Sequence, residues 1–233
     1  MITDEVSEGL HMMQLSDSFF PTGLFATSNG IETLFFEREI STAAELLELN
    51  KVMIEQRLGP SECIILANAY DSATEENFGQ IEEIDEIDCS MRTNKETREA
   101  SIRSGNQLAR CVKEFLDTDK TLNWYSDSLH DGKVVGGYPV SFGICCNALN
   151  IGKEKAVTMF LYGFVVSTVG AALRLGMIQH FEGQRIIHQI KPLITKTVKE
   201  NLNKQPTDIW QFIPQMEIFQ MHHEKMDSKM FIT

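Results

Sequence analysis

The chain has 233 residues, 42% of them hydrophobic and 23% charged, with a net charge of −12. That composition belongs to a folded chain with enough apolar side chains for a sizeable core, well away from disorder. The negative balance weighs against nucleic acid as a partner, because phosphate backbones call for a positive stripe.

Met1 to Met13 is acidic and lacks the basic segment that opens a secretory signal, so a cytoplasmic protein is expected. Next comes QLSDSFFPTGLFATSNGIE, Gln14 to Glu32, with a Pro-x-Gly turn between large apolar residues. Such a turn makes a rigid loop, which either presents its phenylalanines to a partner or folds them into the core. Thr42 with Glu45 reads as a capping box opening a helix with the stripe Leu46, Leu49, Met53. Gly59-Pro60 should end that helix and start another through Ile64, Ile65 and Ala69. Leu58 to Met91 has no Lys or Arg and nine acidic residues, read as a solvated face or a steering surface. Thr93 with Glu96 is a second capping box, followed by Ala100, Ser104, Leu108, Cys111 and Phe115 along one helix face.

Shorter helices are expected around Leu122–Leu129 and Pro139–Leu149. From Ala156 to Leu173 there is no formal charge for 18 residues, the lower limit for a membrane span. Its threonines, serine and glycines favour a buried central helix instead, and Gly163, Ser167 and Ala171 would let another backbone approach closely. A basic stretch from Arg174 to Lys204 contains Pro192, expected to kink or split its helix. A last helix starts near Thr207 and leads into the tail QMHHEKMDSKMFIT. Strand patterns are nearly absent. The expected fold is all-α, one domain over residues 1–233 with about nine or ten helices around a central buried helix.

Site chemistry is sparse. There is no dinucleotide fingerprint, Walker loop or G-x-S-x-G elbow. His223-Glu224 begins like a zincin motif, but Asp227 stands where the second histidine belongs. His222 and His223 are adjacent, about 100° apart on a helix, and fall short of the usual three or four metal ligands. They are the weak metal candidates in a chain for which no metal site and no cofactor is expected. Five cysteines without a C-x-x-C pair read as reduced thiols, and Cys145 and Cys146 as small core residues. No enzyme is expected.

Taken together, the stretches resemble the UreF-type urease accessory proteins. The family's opening LxDSxxPxGxFxxSxGLE is matched by Leu15, Asp17, Ser18, Pro21, Gly23, Phe25, Ser28, Gly30 and Glu32. Its ETR…R.G is matched by Glu96, Thr97, Arg98, Arg103 and Gly105, and HYPVxFG by Tyr138, Pro139, Val140, Phe142 and Gly143. RLG…GQ corresponds to Arg174, Leu175, Gly176, Gly183 and Gln184, and the tail HExxYSRLF to His223, Glu224, Ser228 and Phe231. Departures are Gly137 at the histidine of HYP, Thr27 where many members carry histidine, Asp227 at the tail's tyrosine and Lys229 at its arginine. Lysine keeps that charge but loses the planar fork.

The resemblance implies an all-helical homodimer that binds the UreD/UreH-type accessory protein and the nickel-carrying UreG-type GTPase. The assembly then delivers nickel to apo-urease, with no part for nucleic acid or membrane. It implies that the N-terminal loop and the tail at about 220–233 form one partner-facing surface, with Pro21, Gly23, Phe25, Ser28, Glu32, His223, Glu224, Ser228, Lys229 and Phe231 as partner-binding residues. On that reading the tail is a docking segment with exposed apolar anchors, and cutting after Met221 leaves the fold intact. The competing reading within nickel delivery is a metallochaperone holding nickel through His222 and His223, with Cys145 or Cys146.

Overall fold

The computed structural model describes residues 4–23, 26–226 and 228–233. The helices are α1 (Asp4–Ser16), α2 (Ile31–Phe36), α3 (Ala43–Met53), α4 (Cys63–Thr74), α5 (Phe78–Met91) and α6 (Lys95–Lys113). They continue as α7 (Lys120–Asp131), α8 (Tyr138–Ala148), α9 (Lys153–Arg174), α10 (His180–Asn201) and α11 (Pro214–Glu224). A π-helical segment, Ile54–Glu62, joins α3 to α4 without a break. Counted as the one rod it is, that stretch leaves ten helices and no strand among the described residues, so the fold is all-α.

Local chemistry explains several boundaries. Thr42 and Glu45 form the expected box: the Glu45 backbone N–H donates to Thr42 Oγ1 at 3.3 Å, and the Thr42 N–H donates to Glu45 Oε2 at 3.0 Å. The expected break at Gly59-Pro60 does not occur. Proline removes an amide and leaves an upstream carbonyl unbonded, which ordinarily destabilises a helix interior. Here the chain widens into a π turn, and the Gln56 carbonyl takes the Phe212 N–H at 2.9 Å. The Pro60 carbonyl accepts the Trp210 N–H at 3.1 Å, so the approach to α11 seals the irregular turn. Likewise α10 runs from His180 to Asn201 through Pro192 as one helix.

The central helix is α8, not the uncharged α9. Nine of its residues are buried, from Pro139 to Ala148, and α4, α5, α6, α7 and α9 all pack against it. Gly143 lets α4 approach closely: a Cβ there would lie 2.6 Å from the Leu66 carbonyl oxygen of α4. By length and composition α9 could cross a membrane, and 50% of its apolar window is buried inside the fold. The other half is open. Tyr162 and Val166 are exposed, and a Cβ on Gly163 or Gly170 would meet nothing. Gly163, Ser167 and Gly170 of α9 thus line a surface groove, while Val165, Val169, Ala171 and Ala172 face the core.

Beneath that groove lies a buried ionic chain. Arg92 bridges Glu62 at 3.0 Å and Asp88 at 3.0 Å, and Arg57 reaches Glu62 at 2.8 Å. Burial alone would push the Glu62 carboxyl up; the two guanidinium groups outweigh it and hold the group below its ordinary value. Asp88 goes the other way, because burial, with Glu62 nearby, exceeds what Arg92 returns. The neighbouring Asp85 carboxylate accepts the backbone N–H groups of Val135, Gly136 and Gly137. These anchor the loop that enters α8.

Candidate partner-docking site

The N-terminal loop is held by its own polar groups. Asp17 Oδ1 accepts the Phe19 N–H at 2.8 Å, and the Phe20 N–H reaches the Asp17 carbonyl at 3.0 Å. Phe19 is left 93% exposed, with Pro21 and Gly23 also at the surface, while Phe20 packs against the core. The sequence left presentation and burial both open for these phenylalanines, and the loop does one with each. Phe25 lies outside the described residues.

Past the loop, Asn29 and Gly30 turn the chain through left-handed backbone, and Ser28 Oγ accepts the Gly30 N–H at 3.2 Å. This begins the short helix α2 and points Glu32 inward, where it is 1% exposed. A carboxylate buried this deeply needs donors. The tail supplies them: the Met230 N–H donates to Glu32 Oε1 at 2.7 Å and the Phe231 N–H to Oε2 at 3.1 Å. His223 Nε2 lies 3.0 Å from the same Oε2.

His223 itself is wholly buried at the end of α11, and its Nδ1 lies 2.6 Å from Glu96 Oε2. Lys229 Nζ reaches the other oxygen of Glu96 at 2.5 Å and also the Glu224 carbonyl at 3.2 Å. Glu224 turns its carboxylate onto the start of α6, accepting the Lys95 N–H at 3.1 Å. A carboxylate there suits the positive end of a helix dipole. The expected box of Thr93 with Glu96 is therefore replaced. Asn94 caps α6 by accepting the Thr97 N–H at 3.1 Å, and Glu96 is freed for the tail.

The last residues close the arrangement. The Ile232 N–H donates to the Ala26 carbonyl at 2.8 Å, and the Ser28 N–H to the Thr233 carbonyl at 3.0 Å, with Ser28 Oγ bonded to the same oxygen. Phe231 is 4% exposed, with the Arg174 guanidinium 4.3 Å from its ring centre. The structure thus brings Ser28, Glu32, His223, Glu224, Lys229 and Phe231 together, and adds Glu96, which the sequence reading placed in a capping box and in the ETR motif but not at the docking surface. Ser228 is exposed, as are Met230 and Ile232 at 61% and 42%. The expectation of exposed apolar anchors therefore holds for those two and fails for Phe231. Cutting after Met221 would remove core, not merely a tail.

Beside this cluster the groove, about 530 Å³, is lined by Phe20, Pro21, Tyr138, Phe160, Ser167 and Thr233. Loop and tail therefore border one surface feature.

Among the described residues no group of three or more His, Cys, Asp or Glu converges as ion ligands. His222 pairs with Glu37 at 3.1 Å, and both nitrogens of His223 are engaged by carboxylates. Burial pushes the thiols of Cys145 and Cys146 well above the ordinary range, which opposes the thiolate that a ligand or nucleophile requires.

Comparison with known proteins accounts for this layout of motifs. The model of the UreF family matches residues 40–191. The chain belongs to that family. The urease accessory protein UreF of Trichodesmium erythraeum (strain IMS101) is 31% identical over 99% of both chains. The protein of the same name from Bacillus sp. (strain TB-90) is 30% identical over 96% of this chain and 98% of its own. Urease accessory protein UreF 1 of Brucella melitensis is 26% identical over 96% and 92%.

Two departures from the family pattern now have physical accounts. Lys229, at the tail's arginine, pairs with one oxygen of Glu96 while His223 takes the other, so no planar fork is needed. Gly137, at the histidine of HYP, packs directly on Asp88: a Cβ there would overlap Asp88 Oδ2. Thr27 is buried at 5% exposure, and Asp227 lies outside the described residues.

The cluster has a testable acid limit. Burial raises the Glu96 carboxyl, but hydrogen bonds from Lys229 and His223 outweigh it and hold the group below its ordinary value of 4.5. A carboxyl depressed in the fold adds stability above its unfolded value and loses it as pH falls through the folded one. The difference in thermal midpoint between wild type and Glu96→Gln should therefore be present at pH 7 and shrink as pH falls below 4.5. A difference that persists unchanged in acid would assign the contribution to something other than the Glu96 charge.

Proposed function

We infer that the chain is a non-enzymatic scaffold for urease maturation, working in the cytoplasm as a homodimer. Its N-terminal loop and C-terminal tail bind the UreD/UreH-type accessory protein. The resulting complex recruits and regulates the UreG-type GTPase that brings nickel to apo-urease. One observation carries the reading. The two ends of the chain, more than 190 residues apart, are tied together at Ser28, Glu32 and the tail amides. They leave Phe19, Met230 and Ile232 exposed, and Phe19 and Thr233 share the groove. Apolar side chains held at a surface by a rigid, internally bonded frame are suited to be anchors for a partner. Pro21, Gly23 and Ser228 belong to the same exposed set, with Ser28, Glu32, His223, Glu224, Lys229 and Phe231 as the frame beneath.

The test separates anchor from frame. Met230→Ser with Ile232→Ser changes only exposed side chains, so the thermal midpoint should stay within about a degree of wild type. Affinity for the UreD/UreH-type partner in a pull-down titration should fall about tenfold or more. Normal affinity of this folded variant would remove the tail from the docking surface.

A further inference from the structure

His223 is enclosed on every side, and each ring nitrogen faces a carboxylate, Nε2 on Glu32 and Nδ1 on Glu96. An ionised carboxylate only accepts hydrogen bonds, and a neutral imidazole has one donor nitrogen and one acceptor. Only the doubly protonated ring satisfies both contacts. Loss of one proton turns a lone pair onto a carboxylate where water does not enter, a mismatch that costs more there than at a surface. The same two carboxylates hold the tail, Glu32 through the amides of Met230 and Phe231, Glu96 through Lys229. Ring and tail therefore share acceptors, and imidazole is the group whose donor count changes near neutral pH.

We propose that His223, Glu32 and Glu96 form a proton-operated latch: the doubly protonated ring keeps residues 228–233 docked, and loss of its proton releases them. Release uncovers Ser28, Glu32 and the start of α6 as well as the tail itself. The charged groups facing the latch leave that role to His223. From α2 come Glu32 and Glu37, the latter turned to His222; from α6 come Lys95, at the surface, and Glu96. On α11 Glu224 is occupied by α6 amides, Lys229 of the tail is paired with Glu96, and Arg174 of α9 lies over Phe231. Use of the latch in assembly rests on the tail being the docking element; the latch itself does not.

The experiment is methionine-methyl NMR of the full chain between about pH 6 and pH 9, without any partner. Met226, whose sulfur receives the Thr33 hydroxyl at 3.7 Å, and Met230 report the tail, and buried Met53 reports the core. As pH rises, the Met226 and Met230 signals should move toward free side-chain positions, with the docked-to-released ratio falling about tenfold and Met53 unmoved. Glu96→Gln should keep the tail docked across the range, because a carboxamide can turn either its N–H or its oxygen to Nδ1. His223→Gln should release it at every pH. Tail signals of the wild type that ignore pH would overturn the latch, as would a Glu96→Gln variant with the wild-type pH dependence. Where His223→Gln disturbs Met53 as well, the comparison of wild type with Glu96→Gln decides alone. A failed latch leaves the pull-down test of the docking surface untouched.

Discussion

Cutting the chain after Met221 should lower its thermal midpoint by about 10 °C while far-UV circular dichroism stays strongly helical. The cut removes Phe231, buried to 4% exposure, and the wholly buried His223. It also removes two backbone donors to Glu32, two backbone hydrogen bonds to Ala26 and Ser28, and the Glu224 cap of α6. Losing one buried phenylalanine contributes about 2–3 kcal/mol, and each hydrogen bond about 1 kcal/mol. Water reaching the uncovered Glu32 returns part of this, leaving a net cost of about 3–5 kcal/mol. The helical body contains the α8-centred core and does not depend on the tail for its secondary structure. A midpoint unchanged by the truncation would show that the tail is not docked on the body in solution. Loss of partner binding by this variant would then say little alone, which is why the exposed-residue pair Met230→Ser and Ile232→Ser is the cleaner probe of docking.

Gly137→Ala should be strongly destabilising for a single added methyl. The added Cβ would overlap Asp88 Oδ2, and Asp88 cannot swing aside freely because it is buried and bonded to Arg92 at 3.0 Å. Moving it breaks one of the two ion pairs of Arg92, and moving Gly137 instead tears the loop off Asp85, so about 3 kcal/mol or more is expected in a denaturant melt. Asp88→Ala is itself destabilising, because it leaves the buried Arg92 guanidinium with Glu62 as its remaining ion-pair partner among the described residues. The double variant should nonetheless cost less than the two single changes together, by about 1–3 kcal/mol, because the clash is gone once Asp88 is. Strict additivity would show that Gly137 and Asp88 do not compete for the same space. The same geometry says why a histidine cannot stand at Gly137 in this chain while Asp88 keeps its place.

Much of the fold was written locally. Thr42 and Glu45 cap α3 because the needed groups lie three residues apart, and the stripe Leu46, Met53 is buried because helical spacing puts both on one side. Ile64, Ile65 and Ala69 are in the core for the same reason. The motifs that carry the family resemblance were also legible one at a time, from the Pro-x-Gly loop to the HE of the tail.

What one sequence could not show is which segments satisfy one another. Uncharged composition nominated α9 as the central helix, yet α8 holds that place; an apolar run records how little charge a helix carries, not how much of its surface is covered. Pro60 signalled a break because its missing amide leaves a carbonyl unbonded, but Phe212, far along the chain, supplies the donor and the helix continues. Thr93 and Glu96 had the spacing of a box, and Asn94 took the cap while Glu96 went to His223 and Lys229. The sequence by itself determined an all-helical acidic chain with a family's motifs in order. Only the tertiary structure decided that Ser28, Glu32 and His223 are buried together under the tail, with Glu96 at their edge. A buried carboxylate takes whatever donor the fold brings within 3 Å, and sequence distance places no limit on where that donor comes from.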